Sequence, residues 1–304
     1  MPSISAIHSV NSGLCATFGM LFNIFLIWLI MRRSVPALRL YRCILLQTCV
    51  IDIYTICLMV AVQPVYIVVS GWNVLYQNGP VRLLPLPYSV AINLLWYFGF
   101  YFSITSNALQ YLYRYLVLCR NTEITPMRYF FMLSATAVPV IFYLFMLCII
   151  CYPEQTQPIA QLNSEIFSNI HENVTITMLA NSDSNSWRFL HLLYVVPYDI
   201  GCYIVIIACG IKIRRFVREK QMCSQAMKHN QQISIILVLQ AILPCLGAIV
   251  GSVQVLATIA LSSASAIYST AFATLVINWV PVLNPLITIL VIKSYRRVVF
   301  RRTI

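Results

Sequence analysis

Seven long apolar stretches, each separated from the next by a shorter polar segment, dominate the chain. Each stretch contains roughly the 20 mainly apolar residues that a helix needs to cross a lipid bilayer. The pattern predicts an all-α membrane protein, a single domain over 1–304 with one bundle of seven transmembrane helices, which we number spans 1 to 7. The spans are expected at about 9–31, 43–69, 88–118, 129–152, 188–211, 231–260 and 267–292, with a long polar loop at 153–187 and a short tail at 293–304.

The composition agrees with a lipid environment. Hydrophobic residues make up 60% of the chain and charged residues 9%, whereas soluble domains carry about a quarter charged residues. The net charge of +12 is spread between the apolar stretches rather than gathered on a polar domain. A nucleic-acid partner is therefore not expected.

The charges also set the direction of the spans. Every lysine and arginine except Arg82 and Arg188 falls in connections on one side of the predicted membrane. Because cytoplasmic connections are enriched in these residues, the N-terminus is expected outside and the C-terminus inside. The one Asn-x-Ser/Thr sequon begins at Asn173 in the 153–187 loop, which places a candidate glycosylation site on the outer side.

One charged residue stands at the end of span 3, in the sequence LQYLYRYLVLCRN. If span 3 enters from outside near Tyr88, Arg114 lies roughly 39 Å further along the helix, beyond the ~30 Å hydrocarbon core. On the residues alone, Arg114 is interpreted as a side chain that reaches the inner interface and fixes the depth of the helix.

Few polar residues lie inside the spans, and these should face the interior of the bundle. The predicted polar core consists of Asn23, Asp52, Asn278, Asn284 and Pro285. We expect Asn23, Asp52 and Asn284 to share one hydrogen-bonded cluster at similar depth. Contacts between helices are the favoured role, and binding of water or a cation is the alternative.

Span 5 contains a second acidic residue, Asp199, in VVPYDIG. It could satisfy backbone groups freed by Pro197, or it could be the counter-charge of a cationic ligand. Further prolines, which can kink helices, lie at 64, 139, 244, 281 and 285. Kinked spans around a polar core are typical of transporters and of switching receptors, and the absence of paired halves favours the receptor.

The chain lacks the common catalytic motifs, and its tail has the pattern of a membrane-bound helix. The chain has no HExxH, GxSxG or P-loop motif, and its four histidines are far apart in the predicted topology. We expect no enzyme activity, no metal site and no cofactor. The tail KSYRRVVFRR predicts a short helix on the inner leaflet, with Tyr295, Val298 and Val299 on its apolar side.

Three stretches carry a family resemblance: YRCILLQTCVIDIYT in span 2, LQYLYRYLVLCRN in span 3, and NWVPVLNPLITILVIKSYRR in span 7 and beyond. They resemble the nematode serpentine chemoreceptors of the G-protein-coupled type, most closely serpentine receptor class delta. The resemblance implies a G-protein-coupled-receptor bundle in the plasma membrane, including that of a sensory cilium. It implies a small odorant or pheromone-like ligand and a heterotrimeric G protein as partner.

The same resemblance assigns candidate roles at the inner face. Arg114 matches the arginine that ends span 3 in such receptors and is exposed to the G protein upon activation. This chain departs from rhodopsin-like receptors by having Tyr113 in place of the acid before that arginine, and Thr288 in place of a tyrosine in span 7. No disulfide is expected between span 3 and the outer loop. The candidate coupling residues are Tyr113, Arg114, Tyr115, Arg120, Arg214, Arg215 and Arg218.

The resemblance also places a ligand site in the outer half of the bundle. Aromatic pockets there suit small, mainly apolar molecules, although each tyrosine could equally belong to an interfacial aromatic belt. The candidate ligand-binding residues are Asn93, Trp96, Tyr97, Tyr101, Tyr194, Tyr198, Asp199, Gln254 and Tyr268.

Two alternatives stay open. A seven-span ligand-gated cation channel subunit, similar to the insect odorant receptors, would have its N-terminus inside. A small-solute transporter would require Asp52 or Asp199 for uptake.

Overall fold

A computed structural model of the chain describes residues 3–33, 42–153, 157–170, 174–181, 184–219, 235–236, 238–243 and 263–299. Asn173, Pro244, Gln254 and Phe300 lie outside these ranges, as does most of span 6.

Helices account for each span that the structure describes. Spans 1 to 4 are the helices Ile4–Arg33, Arg42–Val62, Leu86–Cys119 and Pro126–Cys151. Span 5 consists of Asn185–Phe189, a π-helical turn Leu190–Val195, and Val196–Glu219. Span 7 consists of Ser263–Ile277 and Val280–Val291, followed by a C-terminal helix, Lys293–Val299.

Five of these helical segments are long and apolar enough to cross a membrane. Large apolar side chains such as Leu21, Ile141 and Ile207 point away from the bundle, as expected of surfaces that face lipid. Span 3 is more polar and more buried, since it packs against spans 2, 4 and 5. The five segments are Ile4–Arg32, Arg42–Val62, Pro126–Cys151, Asn185–Glu219 and Ser265–Val291.

The structure also contains a three-stranded antiparallel sheet, which the all-helical expectation missed. Its strands are β1 (Pro64–Val69), β2 (Trp72–Gln77) and β3 (Ile176–Asn181), in the order β1-β2-β3. Ser70 and Gly71 connect β1 to β2 with positive φ angles of 46° and 78°, the backbone that a tight two-residue hairpin requires. The sheet joins the first outer connection to the 153–187 loop.

Span 2 therefore ends at Val62, not at residue 69. Pro64 cannot continue the helix and disfavours helical backbone at Gln63, whose φ is 44°. The backbone N–H of Gly79 donates to the Val62 carbonyl at 3.0 Å, which satisfies one of the acceptors left at the helix end. A Cβ on Gly79 would lie 2.2 Å from the Ala61 carbonyl oxygen, so only glycine allows this approach.

A helix in the outer loop, Gln157–Ile170, lies on the sheet. Its Leu162 and Ile166 join the apolar cluster of β1 and β2, and Glu165 accepts hydrogen bonds from the Ser70 hydroxyl at 2.7 and 2.8 Å. We call this helix and the three strands the outer cap. Through Leu75 and Met178 the sheet packs against the outer part of the bundle.

Span 7 is broken in its middle, as its two prolines predict. Pro281 lacks the N–H that would bond to the Ile277 carbonyl, and the first helix ends there. Pro285 likewise leaves the Pro281 carbonyl without an intrahelical donor. Asn23 in span 1 donates its Nδ2 to that carbonyl at 3.1 Å.

Candidate functional site

A cavity lies between spans 3, 4 and 5, and we call it the tyrosine cavity. It brings together four of the candidate ligand-binding residues: Tyr101, Tyr194, Tyr198 and Asp199. The other residues that line it are Pro139, Val140, Tyr143 and Val195.

The tyrosine rings form a continuous series across the cavity. The rings of Tyr101 and Tyr143 meet edge to face with centroids 4.7 Å apart. Those of Tyr143 and Tyr194 are nearly parallel at 6.4 Å, as are those of Tyr194 and Tyr198 at 6.1 Å. The Tyr143 hydroxyl donates to that of Tyr101 at 3.3 Å, and the Tyr194 hydroxyl donates to the Pro139 carbonyl at 2.8 Å.

Local sequence explains why these side chains converge. Tyr194 and Tyr198 are four residues apart and share one helical face, and Pro139 and Tyr143 do the same in span 4. The π-helical turn Leu190–Val195 precedes Pro197, and such turns are frequent at functional sites. Sequence reasoning missed Tyr143.

Asp199 contributes a carboxyl group to the cavity. Its Oδ1 is buried and has no hydrogen-bond partner among the described residues. The carboxyl group is close enough to act electrostatically on the hydroxyls of Tyr101 and Tyr198. The cavity thus combines aromatic faces with one acidic group.

A second cavity, which we call the polar cavity, lies between spans 2, 3 and 7. It is narrow, with room for about one or two water molecules. The sequence had indicated Asp52, Trp96 and Asn278 as candidate site residues and Pro281 as a proline that can kink span 7. The lining residues are Asp52, Thr55, Met59, Trp96, Gly99, Phe100, Ser103, Ile277, Asn278, Val280 and Pro281.

The expected polar cluster is built around a direct bond between spans 2 and 7. Asn284 donates its Nδ2 to Asp52 Oδ1 at 2.9 Å. Asn23 bonds instead to the backbone of span 7 at Pro281. Asp52 Oδ2 and Asn284 Oδ1 are buried without a hydrogen-bond partner in the described part of the chain. Such acceptors could hold water or a small cation.

The polar network continues inwards through residues that were not among the candidate site residues. Gln240 in span 6 donates to the Thr288 hydroxyl at 3.1 Å and accepts, at its backbone carbonyl, from Asn107 at 3.4 Å. Gln110 in span 3 donates to the Thr48 hydroxyl in span 2 at 3.2 Å. Thr288, which replaces the tyrosine of rhodopsin-like receptors, therefore connects spans 6 and 7.

Of the other candidate ligand-binding residues that the structure describes, none lines the tyrosine cavity, and Trp96 lines the polar cavity. Tyr97 is buried, with its ring beside those of Trp96 and Tyr101. Asn93 is buried beneath the outer cap and donates to Met178 Sδ at 3.0 Å. Tyr268 is 37% exposed and lines neither cavity.

At the inner end of span 3, Arg114 is only 1% exposed. The interpretation of Arg114 as a side chain that reaches the interface is therefore wrong, because the bundle closes around it. Arg114 and Arg214 both act electrostatically on the Tyr111 hydroxyl. Tyr113 is buried as well, with its ring 5.0 Å from that of Tyr129 in span 4.

The other coupling candidates face outwards. Arg120 donates its Nε to the Tyr115 hydroxyl at 3.0 Å, and the Lys212 ammonium of span 5 lies 5.2 Å from the centre of the Tyr115 ring. The second of these contacts links spans 3 and 5. Arg214, Arg215 and Arg218 are exposed on span 5, which runs to Glu219, eight residues beyond its expected end.

Comparison with known proteins identifies the family. Residues 9–301 match the family of the serpentine type 7TM GPCR chemoreceptor Srd. The chain belongs to the Srd family. This confirms the resemblance to serpentine receptor class delta. No curated protein matches the Srd chain in sequence.

A solved structure confirms the fold. The crystal structure of squid rhodopsin is similar to the Srd chain with a TM-score of 0.67, over 98% of this chain and 85% of that one, at 13% sequence identity. The architecture is thus the seven-helix bundle of G-protein-coupled receptors. The Srd chain is a membrane protein of receptor type rather than an enzyme.

Proposed function

We propose that this Srd receptor binds a small environmental molecule in the tyrosine cavity and activates a heterotrimeric G protein at its inner face. The observation that carries the proposal is the convergence of Tyr101, Tyr194, Tyr198 and Asp199 with Tyr143 on one cavity. Concave sites lined by aromatic groups with a few polar ones are typical of small-molecule binding.

Two helices connect this cavity to the inner face. Span 3 carries Tyr101 in the cavity and Arg114 about 20 Å further inwards. Span 5 carries Tyr198 in the cavity and Arg214 about 24 Å further along. A ligand that shifts one helix against the other at the cavity would therefore also shift their inner ends, where Tyr115 and Lys212 are in contact.

Arg114 has the position that a switch requires. It is buried in this conformation, and a movement of spans 3 and 5 would expose its charge next to the basic side chains of span 5. The spans joined by the polar network, together with the break in span 7, can rearrange between two states. We place the receptor in the plasma membrane of a sensory cell, with its N-terminus outside.

The test is a ligand screen with a G-protein readout in cells that express the full chain. We expect Arg114→Ala to keep ligand binding and surface expression and to lose at least about tenfold in signal, equivalent to about 1.4 kcal/mol. Arg128→Ala is the matched control, because Arg128 is exposed at the start of span 4, and it should signal normally. Undiminished signalling by Arg114→Ala would contradict the assigned role.

The same cells separate the alternatives. A ligand-evoked cation current that persists without G proteins would indicate a channel. Ligand uptake that disappears when Asp52 and Asp199 are both replaced by asparagine would indicate a transporter. Neither result is expected, because the receptor proposal requires only binding and a change of conformation.

A further inference from the structure

We infer that the tyrosine cavity recognises a small organic cation, a molecule whose protonated nitrogen pairs with Asp199. This inference rests on the proposed function, since it names the chemical class of the ligand for the same cavity. It develops one of the two roles that the sequence left open for Asp199, in place of the expectation of a mainly apolar odorant.

The first argument concerns the unused carboxyl oxygen. Asp199 Oδ1 is buried without a hydrogen-bond partner among the described residues, and the lining residues that the structure describes include no lysine or arginine. A buried carboxylate is costly unless it is paired, and acidic groups at membrane depth are by default functional. A ligand that brings its own positive charge would supply the missing partner.

The second argument concerns the aromatic rings. A cation is attracted to the face of an aromatic ring, and several rings around one site bind substituted ammonium groups. Tyr101, Tyr143, Tyr194 and Tyr198 all line the cavity next to Asp199, and three of the rings are nearly parallel. This is the combination of aromatic faces and one carboxylate that suits an ammonium ion.

The third argument excludes the competing role of Asp199. The sequence left open that Asp199 repairs backbone groups freed by Pro197. Within the described ranges Asp199 Oδ1 has no hydrogen-bond partner. This oxygen therefore takes no part in helix repair and is left for a ligand.

The size of the cavity limits the ligand. In this conformation the enclosed space, measured as for the polar cavity, holds no more than about one water molecule, so a ligand has to move the side chains that line it. We therefore expect an amine with a short carbon chain or a single ring. A neutral molecule of equal size would leave the carboxylate unpaired, and a site built for a polar group discriminates strongly against such an analogue.

The experiment uses the full-length receptor in lipid nanodiscs and in cells with a G-protein readout. The probes are pairs of equal shape: 2-phenylethylamine with 2-phenylethanol, isoamylamine with isoamyl alcohol, and trimethylammonium with tert-butyl compounds of the same length. Thermal stabilisation reports binding, and the half-maximal concentration reports signalling. The variants are Asp199→Asn and, as a control, Glu123→Gln, which removes an exposed acid from the inner loop.

We expect at least one amine to act about tenfold or more below the concentration of its neutral twin, because loss of a buried charge partner commonly costs more than a factor of ten. Asp199→Asn should remove this preference while surface expression is kept, and Glu123→Gln should retain it. The inference is overturned if no amine acts, if amines act no better than their twins, or if Asp199→Asn leaves the preference intact.

The two proposals fail in different ways. Signalling in response to neutral compounds alone would support the proposed receptor function and contradict the inference that the ligand is a cation. Binding of amines that depends on Asp199, without any G-protein response, would support the inference of a cationic ligand and contradict the proposed activation of a G protein.

Discussion

At the scale of single residues, polar side chains inside the bundle donate hydrogen bonds to backbone carbonyls that prolines leave unpaired. Pro285 frees the carbonyl of Pro281, and Asn23 from another helix donates to it. The sequence placed Asn23, Asp52 and Asn284 at one depth, and Asp52 and Asn284 are indeed bonded. The partner of Asn23 was not predictable, because a freed backbone carbonyl leaves no mark in the side-chain pattern.

The bond between Asn284 and Asp52 leads to a prediction about stability. Asn284→Ala removes the only hydrogen bond that the described residues donate to the buried Asp52 carboxyl group, and an unsatisfied buried group costs about 1–3 kcal/mol. The apparent melting temperature of the detergent-solubilised receptor should fall by several degrees.

A double-mutant cycle gives the control. Asp52→Asn removes the carboxyl group to which Asn284 donates, so the two changes together should cost less than the sum of the single changes. Asn185→Ala, at an exposed position at the start of span 5, should have little effect. Strict additivity of Asp52→Asn and Asn284→Ala would show that the bond contributes nothing.

Residue-level reasoning from sequence also missed Tyr143 and Gln240. Both lie within mainly apolar stretches, where one tyrosine or one glutamine has no distinguishing neighbour. Their roles arise from the packing of helices far apart in sequence: Tyr143 meets Tyr101 from span 3, and Gln240 meets Thr288 from span 7. Without knowledge of which faces meet, such pairs could not be foreseen.

At the scale of elements, the boundary between span 2 and β1 was the main error of the sequence interpretation. Hydropathy alone does not distinguish an apolar strand from the continuation of an apolar helix, and PVYIVV is apolar throughout. Pro64 was taken to kink a longer helix, but it ends the helix instead. The β-branched residues after it and the pairing with β2 determine the strand.

Two glycine-to-alanine substitutions test the close approach of Gly79 to the Ala61 carbonyl at this boundary. Gly79→Ala would place a methyl group 2.2 Å from the Ala61 carbonyl oxygen, so the backbone must move, at a cost of about 1–3 kcal/mol or more. Surface display and thermal stability should both decrease, because the outer cap is joined to span 2 at this point.

Gly201→Ala is the matched control within span 5. A Cβ there meets no atom within 4 Å, and alanine favours a helix over glycine by up to about 1 kcal/mol. This variant should be as stable as the unchanged receptor or slightly more so. Equal behaviour of the two variants would mean that the contact with Ala61 is not a constraint.

At the scale of the whole molecule, seven apolar stretches predict the fold, and the uneven distribution of lysine and arginine predicts which side of the membrane each terminus faces. The fold could be derived from sequence because it depends on sums over many residues rather than on particular contacts, and the orientation stays a prediction. The family match and the similarity to squid rhodopsin agree with the seven-helix bundle.

The orientation makes a prediction of its own. Asn173 lies in the loop assigned to the outer side, so the expressed receptor should carry a glycan that a glycosidase removes and that Asn173→Gln abolishes. An epitope at the N-terminus should be accessible on intact cells, whereas one at the C-terminus should require permeabilised cells. Access to the N-terminal epitope only after permeabilisation would reverse the orientation and favour the channel alternative.

The outer cap is fastened by strand pairing and apolar packing, while all nine cysteines in the described ranges are free. The described part of the chain therefore has no disulfide bond that a thiol reductant could reduce. The sensing surface should therefore keep its shape when the redox potential of its surroundings changes, so that detection of a ligand does not depend on how oxidising the medium is.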